Sequence, residues 1–193
     1  MSTLPLRDGH VVRLLPFDPS HGEAVFSWFY DYEYRLFFRE FDDPLSLEQC
    51  RDFGKIMMTS GVRVLTIVGK DNPSKPIGLI TTMWLKKKSG VSRVGILLDK
   101  NCQHKTWCIE ALIVVGDLLY RRLGCRKLVV EYMASDEHIR RISEKGGFVF
   151  ESILKDEALI DGEYHDEVKY YMMRDVYEEL YGNYLDSVTN ETT

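Results

Sequence analysis

The residues of this chain that are best placed for chemistry lie between positions 93 and 112, where an apolar run leads through a polar loop into a helical pattern. The run at 94–98 predicts a strand that ends at Asp99, and a helix is expected to begin at about Thr106. The first amides of a helix have no partners within the helix, and the helix dipole adds partial positive charge there. This strand-to-helix connection therefore predicts a binding site for an anion such as a pyrophosphate.

Four side chains in and after this loop each allow two interpretations. His104 is either a phosphate contact or base, or an exposed loop residue, and the exposed position is favoured. Lys105 suits either a phosphate contact or a solvent-facing position. Trp107 fits packing at the helix start better than stacking on a substrate. Cys108 is either a reactive thiol at a helix N-terminus or a small buried residue, and the buried interpretation is favoured.

The elements around this segment alternate in a way that predicts an α/β (α+β) fold with a mixed central sheet flanked by helices. A helix of about five turns, from about Thr106 to Leu123 and ended by Gly124 in the left-handed conformation, separates the strands at 94–98 and 127–133. Such a unit predicts that these two strands lie side by side and parallel, splayed at their C-terminal ends. The other predicted strands are 11–15, 62–68, 77–85, 148–154 and 167–173, and the other predicted helices are 20–30, one from Leu47, one capped by Ser135, and 176–184.

Length and composition predict one domain over residues 1–184 with a flexible tail over 185–193. The net charge of −5 and the lack of a cationic face argue against nucleic acid as a partner. No apolar run approaches the length of a membrane span, and the four cysteines lack the spacing of metal ligands, so neither a membrane nor a metal is expected. Free thiols and the absence of a secretory signal at the N-terminus predict a cytoplasmic protein.

Three segments together resemble the GNAT superfamily of CoA-dependent N-acetyltransferases. The family loop Arg/Gln-x-x-Gly-x-Gly/Ala is similar to QHKTWC at 103–108, where the glutamine matches and both small positions differ. The segment at 134–148 resembles the family helix that ends in E-K-x-G-F. The run DGEYHD at 161–166 is similar to the "DG-x-Y-x-D" hairpin of the branch that acetylates ribosomal-protein N-termini and spermidine. The resemblance covers roughly residues 10–180 and implies a single-domain GNAT fold.

This resemblance implies acetyl-CoA as co-substrate and assigns its contacts. Backbone groups of the strand would hold the pantetheine chain, the loop and helix start would hold the pyrophosphate, and one further contact would come from Asp136 in place of the family asparagine. The implied contacts are Ile96, Leu97, Leu98, Gln103, His104, Lys105, Thr106, Trp107, Cys108 and Asp136. Thr106 stands where the family has glycine, so its branched side chain takes up room and disfavours a positive φ.

Three positions bear on the chemistry that the resemblance implies. Arg93 stands where many members of this branch carry a glutamate near the amine, so it is expected to contact the substrate unless it points to solvent on the other face of the sheet. Asp136 is the first candidate for the base. Ser143 occupies the position of the acidic tyrosine of other branches, and serine is a poor acid.

Two functions from different classes remain. The first is acetyl transfer from acetyl-CoA to a primary amine of a protein N-terminus, a polyamine or an amino-sugar, with a homodimer left open. The second is a catalytically inactive GNAT-fold pseudoenzyme that serves as a binding or structural module. The intact framework residues favour transfer; these are Gln103, Glu110, Arg141, Glu144 and Lys145.

Overall fold

A seven-stranded mixed sheet with the strand order β1-β2-β3-β4-β5-β7-β6 forms the centre of the fold. The computed structural model describes residues 8–34, 37–38, 41, 43–102 and 106–188. The strands are β1 Val12–Pro16, β2 Val62–Gly69, β3 Asn72–Lys86, β4 Val91–Leu98, β5 Lys127–Met133, β6 Val149–Ile160 and β7 Glu163–Met173. The helices are α1 Gly22–Phe29, α2 Leu47–Arg51, α3 Phe53–Thr59, α4 Trp107–Gly116, α5 Glu137–Lys145 and α6 Arg174–Tyr181. The predicted mixed sheet flanked by helices is confirmed.

The long helix predicted at 106–123 consists of α4 followed by a π-helical segment, Asp117–Arg122. The chain then leaves the helix through Gly124, whose φ of +71° is the left-handed conformation expected for a helix end. The capping box of α2 is also present, since the Gln49 amide donates to Ser46 Oγ at 3.2 Å and the Ser46 amide donates to Gln49 Oε1 at 2.8 Å. The residue that caps α5 is Asp136, so the prediction that Ser135 caps it is wrong.

β4 and β5 are parallel neighbours that stay together for only three residue pairs. Val91, Ser92 and Arg93 pair with Lys127, Leu128 and Val129 respectively. Beyond these pairs β4 continues to pair with β3, and β5 continues to pair with β7. The predicted parallel and splayed pair is therefore confirmed, and a gap opens between the C-terminal halves of the two strands.

The sheet separates two apolar clusters. The cluster on the α4 and α6 face includes Val94, Leu98, Leu119, Leu128 and Tyr177. The cluster on the α1–α3 face includes Val25, Trp28, Phe53, Leu79 and Leu97. Because strand residues alternate between faces, these two sets fix which side of the sheet every residue of β4 and β5 occupies.

The C-terminal residues pack into the α4 cluster beyond the predicted boundary at 184. Leu185 is 1% exposed and Val188 is 5% exposed, and both contact the main core. Burial of these two apolar side chains holds residues 185–188 against the domain, so this part of the predicted flexible tail is corrected. Residues 189–193 lie outside the described residues.

Glu110 of α4 joins the start of β1 to the helix and is only 1% exposed. Its carboxylate accepts from the backbone amides of His10, Val11 and Val12 at 2.6, 2.8 and 2.7 Å, and from the Tyr184 hydroxyl at 3.0 Å. Burial and the hydrogen bond to Glu110 raise the pKa of Tyr184 to about 12. A buried carboxylate with four donors is satisfied, so this framework residue has a structural role.

Glu110→Ala is expected to lower the free energy of unfolding by about 3 kcal/mol or more, because it leaves three backbone amides without their acceptor. Glu137→Ala is the control, since Glu137 pairs with Arg141 on the exposed face of α5. The control should change stability by less than about 0.5 kcal/mol. Urea denaturation of the two variants measures both values, and equal losses would contradict the assigned role of Glu110.

Candidate functional site

The gap between β4 and β5 exposes backbone polar groups that strand pairing does not satisfy. Residues 94–98 of β4 pair with β3 on one side and have no pairing with β5 on the other. In such an antiparallel pair alternate residues direct their N–H and C=O groups away from the partner, so two or three residues face the gap. The predicted contacts Ile96, Leu97 and Leu98 lie in this segment. The gap can accept an extended ligand that pairs with β4 as a strand would.

The N-terminus of α4 lies beyond the C-terminal end of β4, as the loop pattern predicted. In the described part of the chain no side chain caps this helix, whose N-cap is Thr106. Thr106 has φ −63° and ψ 1°, a conformation that any L-residue adopts, so the expected conflict with a positive φ does not arise at this position. The predicted contacts Gln103, His104 and Lys105 lie outside the described residues.

Trp107 and Cys108 are half-buried and pack against the α4 cluster. Burial raises the pKa of the Cys108 thiol to about 11. The thiol is therefore neutral at pH 7, whereas a nucleophile or metal ligand needs the thiolate. Both residues thus take the packing positions that the sequence favoured.

Asp136 and Ser143 lie on α5, which covers the same face of the sheet as α4. The Asp136 carboxylate accepts from the Ile139 amide at 2.9 Å and so caps α5. Asp136 is exposed and Ser143 is half-buried. The two predicted catalytic residues are thus on the helix beside the gap, one at its start and one in its last turn.

Arg93 lies on the opposite face. It alternates in phase with Leu97 of β4, which packs in the α1–α3 cluster, so its side chain is on the face of the sheet away from α4 and α5. Arg93 Nη1 lies 3.1 Å from Glu131 Oε2, and Lys169 Nζ lies 3.2 Å from Glu131 Oε1. The Glu131 side chain is 12% exposed, while those of Arg93 and Lys169 are 37% and 26% exposed.

Sequence reasoning missed Glu131 and Lys169. They stand directly opposite each other in the β5–β7 pairing. Opposite charges at facing positions of two strands would have been a signal, but only with the register of that pairing known.

Aromatic residues of α1 and the segment after it cover β4 on the Arg93 face. Phe37 Cε2 lies 3.7 Å from the position that a Cβ on Gly95 would occupy, so this ring lies over the middle of β4. Trp28 Nε1 donates to Asp99 Oδ2 at 3.0 Å. Phe38 is buried among the other rings, whereas Tyr30 is 57% exposed. Most of these rings therefore form core, and Phe37 covers β4 beside the gap.

A groove of about 320 Å³ lies where β5 ends beside the β6–β7 hairpin. It is lined by Met133, Ala134, Ser135, Tyr164, His165 and Asp166. His165 is half-buried here. The Tyr32 hydroxyl donates to Asp161 Oδ2 at 3.0 Å and joins the segment after α1 to the tip of the hairpin. The hairpin motif was the sequence signal that could have located this groove.

Two further observations concern metal ions and membrane spans. Among residues 8–34, 37–38, 41, 43–102 and 106–188, no three His, Cys, Asp or Glu side chains are grouped to hold a metal ion. No helix in the same described part of the chain has the length and apolar character to cross a membrane.

Several solved structures share this fold. A GCN5-related N-acetyltransferase from Brucella melitensis has 19% identity and a TM-score of 0.75, covering 95% of this chain and 86% of its own. Spermidine N-acetyltransferase from Vibrio cholerae, in complex with CoA and spermine, has 16% identity and a TM-score of 0.74, covering 86% and 97%. The ribosomal L7/L12 alpha-N-protein acetyltransferase RimL, in complex with coenzyme A, has 17% identity and a TM-score of 0.72, covering 91% and 99%.

These likenesses establish the fold, and the sequence itself establishes the family. A search of curated protein sequences finds no match. The profile of the acetyltransferase (GNAT) domain, however, matches residues 12–149, which is most of the chain and includes the splayed strands and α5. The chain therefore belongs to the GNAT acetyltransferase family.

Proposed function

We propose that this protein transfers an acetyl group from acetyl-CoA to a primary amine. The observation that carries the proposal is the splayed β4–β5 pair with the N-terminus of α4, which no side chain of the described residues caps, at the end of β4. Acyl transfer from a thioester depends mainly on positioning, and the gap supplies a fixed backbone against which a thioester can be aligned. The site needs no metal for this reaction.

The backbone groups of the gap and of the helix start fit the two polar parts of the acyl donor. Amide donors of residues 96–98 suit the pantetheine amides and can polarise the thioester carbonyl. The amides and dipole of α4 suit the pyrophosphate, and a lysine and a glutamine, Lys105 and Gln103, are close in sequence. Trp107 and Cys108 contribute through their backbone, since their side chains pack into the core.

The charge beside the gap favours an acceptor that carries an anion near its amine. Arg93 and Lys169 share the single carboxylate of Glu131, so this cluster of three has one net positive charge. A second cation at short range in a partly screened site costs about 1 kcal/mol or more. An acidic N-terminal peptide or a phosphorylated amino-sugar therefore suits the site better than a polyamine, and Arg93 offers it a bidentate partner.

Proton transfer in the proposed reaction involves groups on α5. Asp136 is proposed as the base that removes a proton from the ammonium, and Ser143 is a weak candidate for the acid. The Asp136 carboxylate also caps α5. A role as base predicts an effect of its substitution on kcat, whereas a role as cap predicts an effect on stability. A pseudoenzyme would use the same gap for CoA binding without turnover.

Calorimetric titration is expected to show that CoA binds to the wild type. A negative charge introduced at position 106 is expected to weaken this binding. Thr106→Asp and Thr106→Asn both offer a good cap to α4, but only aspartate adds a negative charge beside the pyrophosphate. We expect aspartate to bind CoA about fivefold or more weakly than asparagine. Absence of CoA binding by the wild type would overturn the proposed function. Equal CoA affinities of the two variants would contradict the placement of the pyrophosphate at the N-terminus of α4.

Asp136→Asn separates the base from the cap, because asparagine caps helices as well as aspartate does but cannot accept the proton. A base role predicts a loss in kcat of about 100-fold with unchanged stability. Asp136→Ala is the matched variant for the cap and is expected to lose about 1 kcal/mol of stability. Unchanged kcat in Asp136→Asn would leave Asp136 as a cap alone.

An acceptor screen tests the role of Arg93. The wild type is expected to acetylate acidic N-terminal peptides with a kcat/KM at least about fivefold above that for spermidine. Arg93→Gln should lower this ratio of kcat/KM values. Arg13→Gln is the control, because it removes an equal charge from an arginine of β1 that pairs with Asp8, and it should leave the ratio unchanged. Efficient acetylation of spermidine by the wild type would contradict the proposed acceptor class.

A further inference from the structure

Two loops are hydrogen-bonded to each other at the end of the sheet where β4 and β5 begin. The Gly90 carbonyl accepts from the backbone amides of Arg126 and Lys127 at 2.7 and 3.1 Å. The Arg126 side chain donates through Nε to the Ser89 carbonyl at 3.4 Å. These bonds hold the turn between β3 and β4, residues 86–90, against the segment that leads into β5.

Four exposed cations lie on these two loops, and none forms a salt bridge with an Asp or Glu of the described residues. Neighbouring cations are paired by contrast, Lys127 with Glu151 and Arg174 with Glu178. Because the whole chain has a net charge of −5, a group of four unpaired cations is an unusual part of its surface. We call this group the basic tip, and it consists of Lys86, Lys87, Lys88 and Arg126.

The strand register makes the basic tip continuous with the ionic cluster around Arg93. Lys86 lies opposite Val91 of β4, and Val91 lies opposite Lys127 of β5. Arg93 is two residues further along β4 on the same face as Val91, at a distance of about 7 Å along the strand. The cations of the tip and Arg93 therefore occupy adjoining rows on the α1–α3 face of the sheet.

The distance from the gap to the basic tip corresponds to a definite length of polypeptide. Residue 96 lies in the part of β4 that faces the gap and is five residues from Val91, a rise of about 17 Å along the strand. An extended peptide has nearly the same rise per residue, so its sixth residue, and those after it, can reach the tip when its amino group is at the gap. Arg93 and Lys169, whose side chains are 37% and 26% exposed, lie along this route.

We propose that the basic tip binds Asp and Glu side chains of a protein acceptor, at about the sixth to tenth residue after the amino group that is acetylated. This proposal rests on the proposed function and narrows its acceptor to a polypeptide. A phosphorylated amino-sugar is too short to contact the gap and the tip together. Exposed ion pairs are individually weak, but several carboxylates on one segment can engage the four cations at once.

The surroundings of the tip favour an acidic protein segment over a nucleic acid. A nucleic acid carries regularly spaced phosphates and needs cations along an extended surface. The basic tip is a small group, and its flanks carry the carboxylates of Glu151 and Glu178. A short acidic segment matches this size better.

Three peptides of twelve residues with a free N-terminal serine test the position of the acidic residues. The distal peptide has four glutamates at its seventh to tenth residues, the proximal peptide has them at its second to fifth residues, and the neutral peptide has glutamine instead. Affinity is measured by fluorescence anisotropy with a label at the C-terminus of each peptide. Acetylation of the same peptides without the label gives kcat and KM.

The distal peptide is expected to bind at least about fivefold more tightly than the neutral peptide. Its kcat/KM should rise by about the same factor through a lower KM, because the tip is remote from the reacting atoms. Both differences should disappear in the variant that combines Lys86→Gln, Lys87→Gln and Lys88→Gln. Because these side chains are exposed, the variant should fold as the wild type does.

The control variant removes three positive charges from exposed positions of α2, α3 and β2. It should keep the preference for the distal peptide, since these positions lie outside the tip. It combines Arg51→Gln, Lys55→Gln and Arg63→Gln.

Equal affinities of the wild type for the distal and neutral peptides would overturn this inference and leave the proposed function intact. An equal loss in the control variant would overturn it as well, because the effect would then come from net charge. Tighter binding of a single-stranded RNA of equal length would contradict the assignment to an acidic protein. Anisotropy needs no CoA, so a wild type that binds the distal peptide but not CoA would overturn the proposed function and not the binding site.

Discussion

The parting of β4 and β5 is the constraint on which the rest of this structure depends. The two strands share three residue pairs, and each is then held by its outer neighbour alone, β4 by β3 and β5 by β7. Because those outer ladders run the full length of both strands, the inner edges can stay open without loosening the sheet. Unpaired backbone groups inside a fold are costly unless something satisfies them, so the gap favours a ligand that pairs as a strand does.

The fold tolerates the gap between β4 and β5 because other parts of the domain are held together by buried hydrogen bonds and apolar packing. Glu110 fastens the start of β1 to α4 through three backbone amides, and the Tyr184 hydroxyl completes its set of donors. Leu185 and Val188 then pack the C-terminal residues against the same core.

Local signals in the sequence were sufficient for most of the fold. The capping box at Ser46, the left-handed Gly124 and the strand–helix–strand unit around α4 are each encoded within a few residues or by one period, and all three were predicted correctly. The prediction that Ser135 caps α5 failed by one residue because both serine and aspartate are good caps, and only the backbone decides which carboxylate or hydroxyl reaches the Ile139 amide.

The site was less predictable because its charges meet across strands that are distant in sequence. Arg93, Glu131 and Lys169 come from β4, β5 and β7, and their contact depends on the order and register of those strands. No local pattern encodes that register.

The two faces of the sheet differ in charge in a way that divides the proposed reaction. On the α5 face the rings of Tyr132 and Tyr170 stack and the Tyr170 hydroxyl donates to Glu144, whereas on the α1–α3 face Arg93, Glu131 and Lys169 form an ionic cluster. A neutral thioester suits the first environment, and the anionic part of the proposed acceptor suits the second. Since the gap between β4 and β5 connects the two faces, in the proposed reaction an acyl group held there is accessible to the amine. The short pairing of these strands is thus what, in the proposed reaction, lets two chemically different substrates meet at one bond.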